Sequence, residues 1–295
     1  MKPIIFIHIA KTAGTSLRHL LSTETNGIWK DLNNVYSDWG GLEDRPDTMR
    51  LLNYSSEIND LDYEHEFLYL PDISLWKYWL NNITDKSKNK IIELHINTTD
   101  NLKLVPPDDL LENEMYENFN WLTMLRNPIQ RVISEYFYLK HNALSEDNQI
   151  LYGQMESNKW AGNQKRKDLW ADKVEQTIDE WLIKNKASHN GQVKWLLGKG
   201  YISDYDVTQE DFDKLIDRME SLNFKVGILE SMNKTIKYWN KSFGYNLKRS
   251  NLPHIRKGLN KEIVNNETIN LIGKNNSFDF KLYSYYSDKL NNLFK

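Results

Sequence analysis

The sequence predicts an α/β fold with a mainly parallel sheet flanked by helices. Three observations carry that expectation. Short apolar runs of strand length recur along the chain, at residues 3–9, 66–70, 91–96, 121–125 and 226–229. Helix-patterned segments stand between and after them, which is how a parallel sheet comes to be covered on both faces. Neither an internal repeat nor a stretch of linker composition interrupts the 295 residues, so one domain over 1–295 is the simplest division.

The elements follow in order. Residues 3–9 form a buried strand, the turn Ala10-Lys11-Thr12-Ala13-Gly14 follows, and Thr15 and Ser16 lead a helix to Leu21. Residues 22–53 are polar and irregular, with Trp29, Tyr36 and Trp39 as aromatics that could line a groove. Residues 66–70 read as a strand, and Pro71 opens a helix through Leu75, Tyr78 and Trp79. After a polar turn, residues 91–96 read as a strand with His95 at its end. Residues 106–119 carry a helical pattern, and 121–125 form a strand that ends in Arg126. Pro128 starts a helix to about His141. Beyond the polar segment 143–168, helices are expected over 174–185, 191–197 and 210–221. A strand over 226–229 and a helix over 231–243, capped by Gly244, come next. Residues 253–258 make a basic loop containing Arg256, Lys257 and Gly258, and helices over 262–272 and 279–293 close the chain.

Composition narrows the function. Charged residues make up 27% and hydrophobic residues 40%, a water-soluble globular balance. The net charge of -3 offers no general basic footprint for nucleic acid. With no cysteine, disulfides, thiolate metal sites and cysteine catalysis are excluded. No apolar run approaches the ~20 residues of a membrane helix and no signal peptide is evident, so a cytoplasmic location without an integral membrane segment is expected.

The opening stretch carries the first chemical signal. A strand, a tight lysine-containing turn and a hydroxyl-led helix make a phosphate cradle: backbone N–H groups point inward, Lys11 adds a charge, and Thr12, Thr15 and Ser16 add hydroxyls. It departs from the nucleotide-triphosphatase loop G-x-x-x-x-G-K-[ST], because Lys11 precedes Gly14 by three residues. The second signal is Arg126, at the end of another strand, with Arg131 and Ser134 in the helix after it. Ligands of open parallel sheets bind beyond the carboxyl ends of the strands. Lys11, His95 and Arg126, each at such an end, are therefore expected at one edge.

The two stretches together resemble a known family. FIHIAKTAGTS (residues 6–16) and Arg126-Asn127-Pro128-Ile129-Gln130-Arg131-Val132-Ile133-Ser134 are similar to the two anion loops of sulfotransferases, in the group of the heparan-sulfate and other carbohydrate O-sulfotransferases and their bacterial relatives. Weaker similarity extends to NGQVKWLLG at 190–198, to VGILESMNKTIKYWNKSFG at 226–244 and to Phe280-Lys281-Leu282-Tyr283. The resemblance implies a P-loop-containing nucleotide hydrolase-like (sulfotransferase) fold. It implies 3'-phosphoadenosine 5'-phosphosulfate (PAPS) as sulfate donor and 3'-phosphoadenosine 5'-phosphate (PAP) as product. Lys11, Thr12, Ala13, Gly14, Thr15 and Ser16 would take the 5'-phosphosulfate, and Arg126 and Ser134 the 3'-phosphate. Lys11 and His95 would be catalytic, with His95 as general base, Glu93 as its backup or orienter, and His8 in a supporting place. The acceptor would be a hydroxyl of a glycan or glycolipid, and the chemistry needs no metal. Departures are the missing cysteines and anchor, the loose match around His95, and residues 22–90, which align with no motif of the family. Two other readings stay open: an ATP-dependent P-loop-type kinase acting on a small acceptor, and a non-catalytic nucleotide-binding protein.

Overall fold

The computed structural model describes residues 4–9, 11–14, 16, 17, 20, 21, 67–70, 91–94, 119–144, 176–199, 205–251 and 264–295. Its centre is a five-stranded sheet of β1 (Ile4–Ile7), β2 (Phe67–Leu70), β3 (Ile91–Leu94), β4 (Asn120–Leu125) and β5 (Lys225–Ile228). The order is β2-β3-β1-β4-β5 and every pairing is parallel. The expected α/β class with a parallel sheet is therefore observed. In the register, Ile7 lies opposite Leu94 on one side and Thr123 on the other. After β1 the sheet grows toward β3 and β2; after β4 it grows toward β5. The gap between the ends of β1 and β4 is thus the point where strand order reverses, the usual ligand crevice of such sheets.

Alternation along the strands sorts the core into two faces. Ile5, Ile7 and Ile9 of the β1 region pack with Trp121, Leu125, Val226 and Ile228. They are covered by α3 (Gly191–Leu196), α4 (Gln209–Ser221) and α7 (Ser277–Asn292). Ile4 and Phe6 face the other way with Leu122 and Met124, beneath Leu17, Leu20 and Leu21 and α5 (Met232–Phe243). Each fully buried aliphatic side chain stabilises the fold by about 1.5–3 kcal/mol, so β1, buried at all four positions, is a central anchor of both layers. Gly227 lets α5 approach: a Cβ there would stand 2.5 Å from Thr235 Cγ2 and Trp239 Cζ2. A third cluster joins α1 (Pro128–Leu144), α2 (Ile178–Lys184) and α6 (Asn266–Asn275) through Val132, Ile133, Tyr136, Trp181, Leu182 and Ile272.

Several element ends differ from the sequence expectation, each for a local reason. α1 runs three residues further, to Leu144. α2 starts at Ile178 because Thr177 caps it, accepting from the Glu180 amide while the Glu180 carboxylate accepts from the Thr177 amide. Thr208 and Asp211 repeat that box at α4. Asn265 accepts from the Thr268 amide and so starts α6 at Asn266, four residues later than the apolar spacing suggested. Gly244 does end α5, in the left-handed region at φ 71°. The expected helix after Pro71, the end of the third strand at 95–96 and the basic loop 253–258 lie outside the described residues, as does the expected helix over 106–119 except for Phe119, which is a bend before β4. Among the described residues no helix is long and apolar enough to cross a membrane.

Candidate active site

The turn after β1 holds two non-glycine residues in the left-handed region, Lys11 and Ala13, both at φ 68°. Such a conformation costs about 1–3 kcal/mol per residue and persists only where neighbours impose it. All three turn residues are pinned. The Lys11 carbonyl accepts from Arg126 Nη1 at 3.0 Å. The Thr12 hydroxyl donates to the Ile9 carbonyl at 2.8 Å. The Ala13 carbonyl accepts from the Leu17 amide at 3.0 Å and so starts the helix, in which residues 14, 16, 17, 20 and 21 are helical. The amides of that first turn have no acceptor within the helix. Thr12 is buried with its hydroxyl spent inward, so what it could offer a ligand is its backbone N–H.

Gly14 is a glycine for a reason of space: a Cβ there would overlap the His8 imidazole. His8 is itself buried and stacks on Phe6, with centroids 5.9 Å apart and planes 7° from parallel. It packs under the turn, against Gly14.

Arg126 directly follows the adjacent strand, β4, and Ser134 lies in α1, the helix after it. The Thr123 hydroxyl, one layer back on β4, donates to the Ile7 carbonyl at 3.0 Å and fastens β4 to β1. Around Arg126 the backbone is clamped. Its amide donates to Gln192 Oε1 at 2.9 Å, and its carbonyl accepts from Gln192 Nε2 at 3.0 Å. Asn127 donates its amide to Glu230 Oε1 at 2.9 Å and, through its side chain, accepts from the Gln130 amide at the start of α1. Burial pulls the Arg126 guanidinium below its ordinary value; the Glu230 charge opposes this and the nearby Arg131 charge adds to it. The group stays protonated, as a cation partly stripped of water. An incoming anion would recover that cost.

Arg131 is turned into the protein. It is fully buried, pairs with Glu135 at 2.9 Å, lies 4.0 Å from Asp279 and donates to the Ser188 carbonyl at 3.1 Å. A Cβ on Gly191 would stand 2.5 Å from its Nη2. Asp279 accepts from the amides of Val193 at 2.8 Å and Gln192 at 3.0 Å, at the start of α3. Burial lifts the Asp279 carboxyl above its usual range, against the pull of Arg131 and those two amides. Asn190, at φ 49°, accepts from the amides of Phe278 and Asp279 and so opens α7. The conspicuous residues Asn190, Gly191, Gln192, Arg131 and Asp279 thus form one hub beneath Arg126, buried at all but Asn190.

Lys11 reaches α1 as well. Its Nζ sits 3.6 Å from the centroid of the Tyr138 ring. Ser134 is half-buried and lies one helical turn before Tyr138, on the same side of α1. The structure thus ties Lys11 to Arg126 and to the helix that carries Ser134. Thr15 and His95 lie outside the described residues. Sequence reasoning missed the Tyr138 contact and the Gln192 clamp. The i, i+4 spacing puts Tyr138 on the side of α1 that carries Ser134 but does not single it out; Gln192 stood in a stretch with family similarity, yet its partner lies 66 residues away and no local pattern named it.

Two cations from two strand ends, with the amides of a helix start beside them, make a donor set suited to a ligand carrying phosphate at more than one place. No curated protein matches the chain. The Sulfotransferase family model matches residues 1–286, nearly the whole length. The fold, the two cationic segments and that match agree: the chain belongs to the Sulfotransferase family.

Proposed function

We propose that the protein transfers a sulfuryl group from PAPS to a hydroxyl of a carbohydrate acceptor, releasing PAP. The observation that carries the reading is the hydrogen bond from Arg126 Nη1 to the Lys11 carbonyl, which ties the two cationic segments together. Family membership supports sulfuryl transfer as the chemistry. When bound, the donor supplies an activated sulfuryl group between a 5'-phosphate and the acceptor.

Lys11 holds the 5'-phosphate end and neutralises the charge that appears on the oxygen between phosphorus and sulfur. Thr12, Ala13, Gly14, Thr15 and Ser16 complete that cradle with backbone amides and the Thr15 and Ser16 hydroxyls. Arg126 and Ser134 hold the 3'-phosphate, which separates this donor from ATP. His95 takes the proton of the acceptor hydroxyl as its oxygen bonds to sulfur and the bond from sulfur to the 5'-phosphate oxygen breaks, in line. An imidazole titrates near neutral pH and suits that task. In support, β3 ends beside β1, with Leu94 opposite Ile7, so the chain leaves β3 at the sheet edge that holds the Lys11 turn.

The acceptor is tested with radiolabelled donor against a panel of glycans, glycolipids and simple hydroxyl compounds. Label on a sugar hydroxyl supports the reading. Label confined to non-carbohydrate hydroxyls would remove the carbohydrate part, and label on none, with PAP still bound, would remove the transfer.

The clamp on Arg126 makes a separate prediction. Gln192→Ala leaves the Arg126 amide and carbonyl without those partners, at about 2 kcal/mol of stability. It is also expected to weaken PAP binding about tenfold, because Arg126 is no longer held in place. Chemical denaturation and calorimetric titration read the two effects. A destabilised variant with unchanged PAP affinity would make Gln192 a matter of folding alone.

A further inference from the structure

Lys11 is held at both ends by the segment that follows β4. Its carbonyl accepts from Arg126 Nη1. Its ammonium lies 3.6 Å from the centre of the Tyr138 ring, well inside the ~6 Å over which a ring face attracts a cation. A lysine head on a flexible four-carbon stem otherwise samples many rotamers. Lys11 and Tyr138 are both half-buried, which strengthens a contact of this kind relative to a solvent-exposed one. Ser134, one turn earlier on the same side of α1, places the proposed 3'-phosphate group along the same face.

We propose that Tyr138 is a positioning residue for Lys11. Its ring face holds the ammonium against the side of α1 that carries Ser134, so the charge stands in the site before a ligand arrives. The ring does this through its π face, and the hydroxyl is dispensable. The inference rests on the sulfotransferase reading for what the positioned charge then does, while the contact itself is a property of the ligand-free protein. Loss of the ring leaves Lys11 able to bind a phosphate but spreads its head over other rotamers. The consequence falls on the charge that develops during transfer more than on ground-state binding.

The test uses full-length protein labelled with 13C at the lysine ε position, the Lys11 signal being identified by its loss in Lys11→Arg. In the wild type, without ligand, the ring current is expected to move the Lys11 ε-methylene signal upfield of the other lysines. Tyr138→Leu is expected to return it to their range, to lower kcat about tenfold, and to change PAP affinity and donor KM by less than about threefold. Tyr138→Phe is expected to keep the shifted signal and restore kcat. An unshifted Lys11 signal in the wild type would overturn the proposal even if Tyr138→Leu failed to fold. Equal loss of kcat in Tyr138→Phe and Tyr138→Leu would overturn it too, by moving the role to the hydroxyl. A shifted signal in a protein that binds no PAP would leave the contact standing and refute the sulfotransferase reading instead.

Discussion

Replacing Lys11 with alanine is expected to abolish sulfuryl transfer, with a loss of about 10³-fold or more in kcat and a smaller loss in PAP affinity. The reason is where the charge develops. As the bond from sulfur to the 5'-phosphate oxygen breaks, negative charge grows on that oxygen, and a cation already in place stabilises it more than it stabilises the ground state. The turn itself is firmly fixed. Two residues in the left-handed region, Lys11 and Ala13, would be costly in an idle loop, yet Arg126, the Thr12 hydroxyl and the Leu17 amide all fix them. Single-turnover measurement with saturating donor separates the chemical step from binding. Unchanged turnover in Lys11→Ala would remove the mechanism.

Arg126→Ala is expected to weaken PAP about 100-fold, the worth of a charge-assisted contact to phosphate, and adenosine 5'-phosphosulfate by only a few-fold. The two ligands differ at both ends: only PAP carries a 3'-phosphate, the group assigned to Arg126, and only adenosine 5'-phosphosulfate carries sulfate on its 5'-phosphate, the end assigned to the Lys11 turn. Some loss is expected for both, because the substitution also removes the bond to the Lys11 carbonyl and loosens the turn. The difference between the two losses is the informative quantity. Equal weakening by calorimetry would confine Arg126 to holding the turn and leave the 3'-phosphate without a partner.

The centre of the sheet was legible because β1 and β4 are buried along nearly their whole length and so read as short apolar runs. Ile4–Ile7 and Trp121–Leu125 stand out for that reason alone. Which residue packs on which face follows from alternation, and the two core clusters obey it. Helix starts were less legible. Apolar spacing marks the part of a helix that packs, whereas Thr177, Thr208 and Asn265 decide where it begins.

In the site, Lys11 and Arg126 could be paired from their places at strand ends, and their joining is observed. The second arginine of that stretch looked like part of the same anion loop. Its neighbours instead make it an internal strut: Glu135 four residues on, Ser188 and Asp279. Those partners come from distant segments, and no local pattern encodes them. The same holds for Gln192, whose amide side chain serves the backbone of a residue 66 positions away. Tyr138 lay in plain sight on an aromatic-rich helix, but a tyrosine beneath a lysine and one in the core look alike in sequence.

On the proposed function, the two joined cationic segments serve a nucleotide with phosphate at both its 3' and 5' positions. A calorimetric titration of the wild-type protein with PAP, set against ATP with magnesium, tests it most directly. PAP is expected to bind with a single site and at least about 100-fold tighter than ATP, the margin set by a charge-assisted contact to the 3'-phosphate. Equal or tighter binding of ATP with magnesium would remove the 3'-phosphate assignment and return the site to a kinase-like reading.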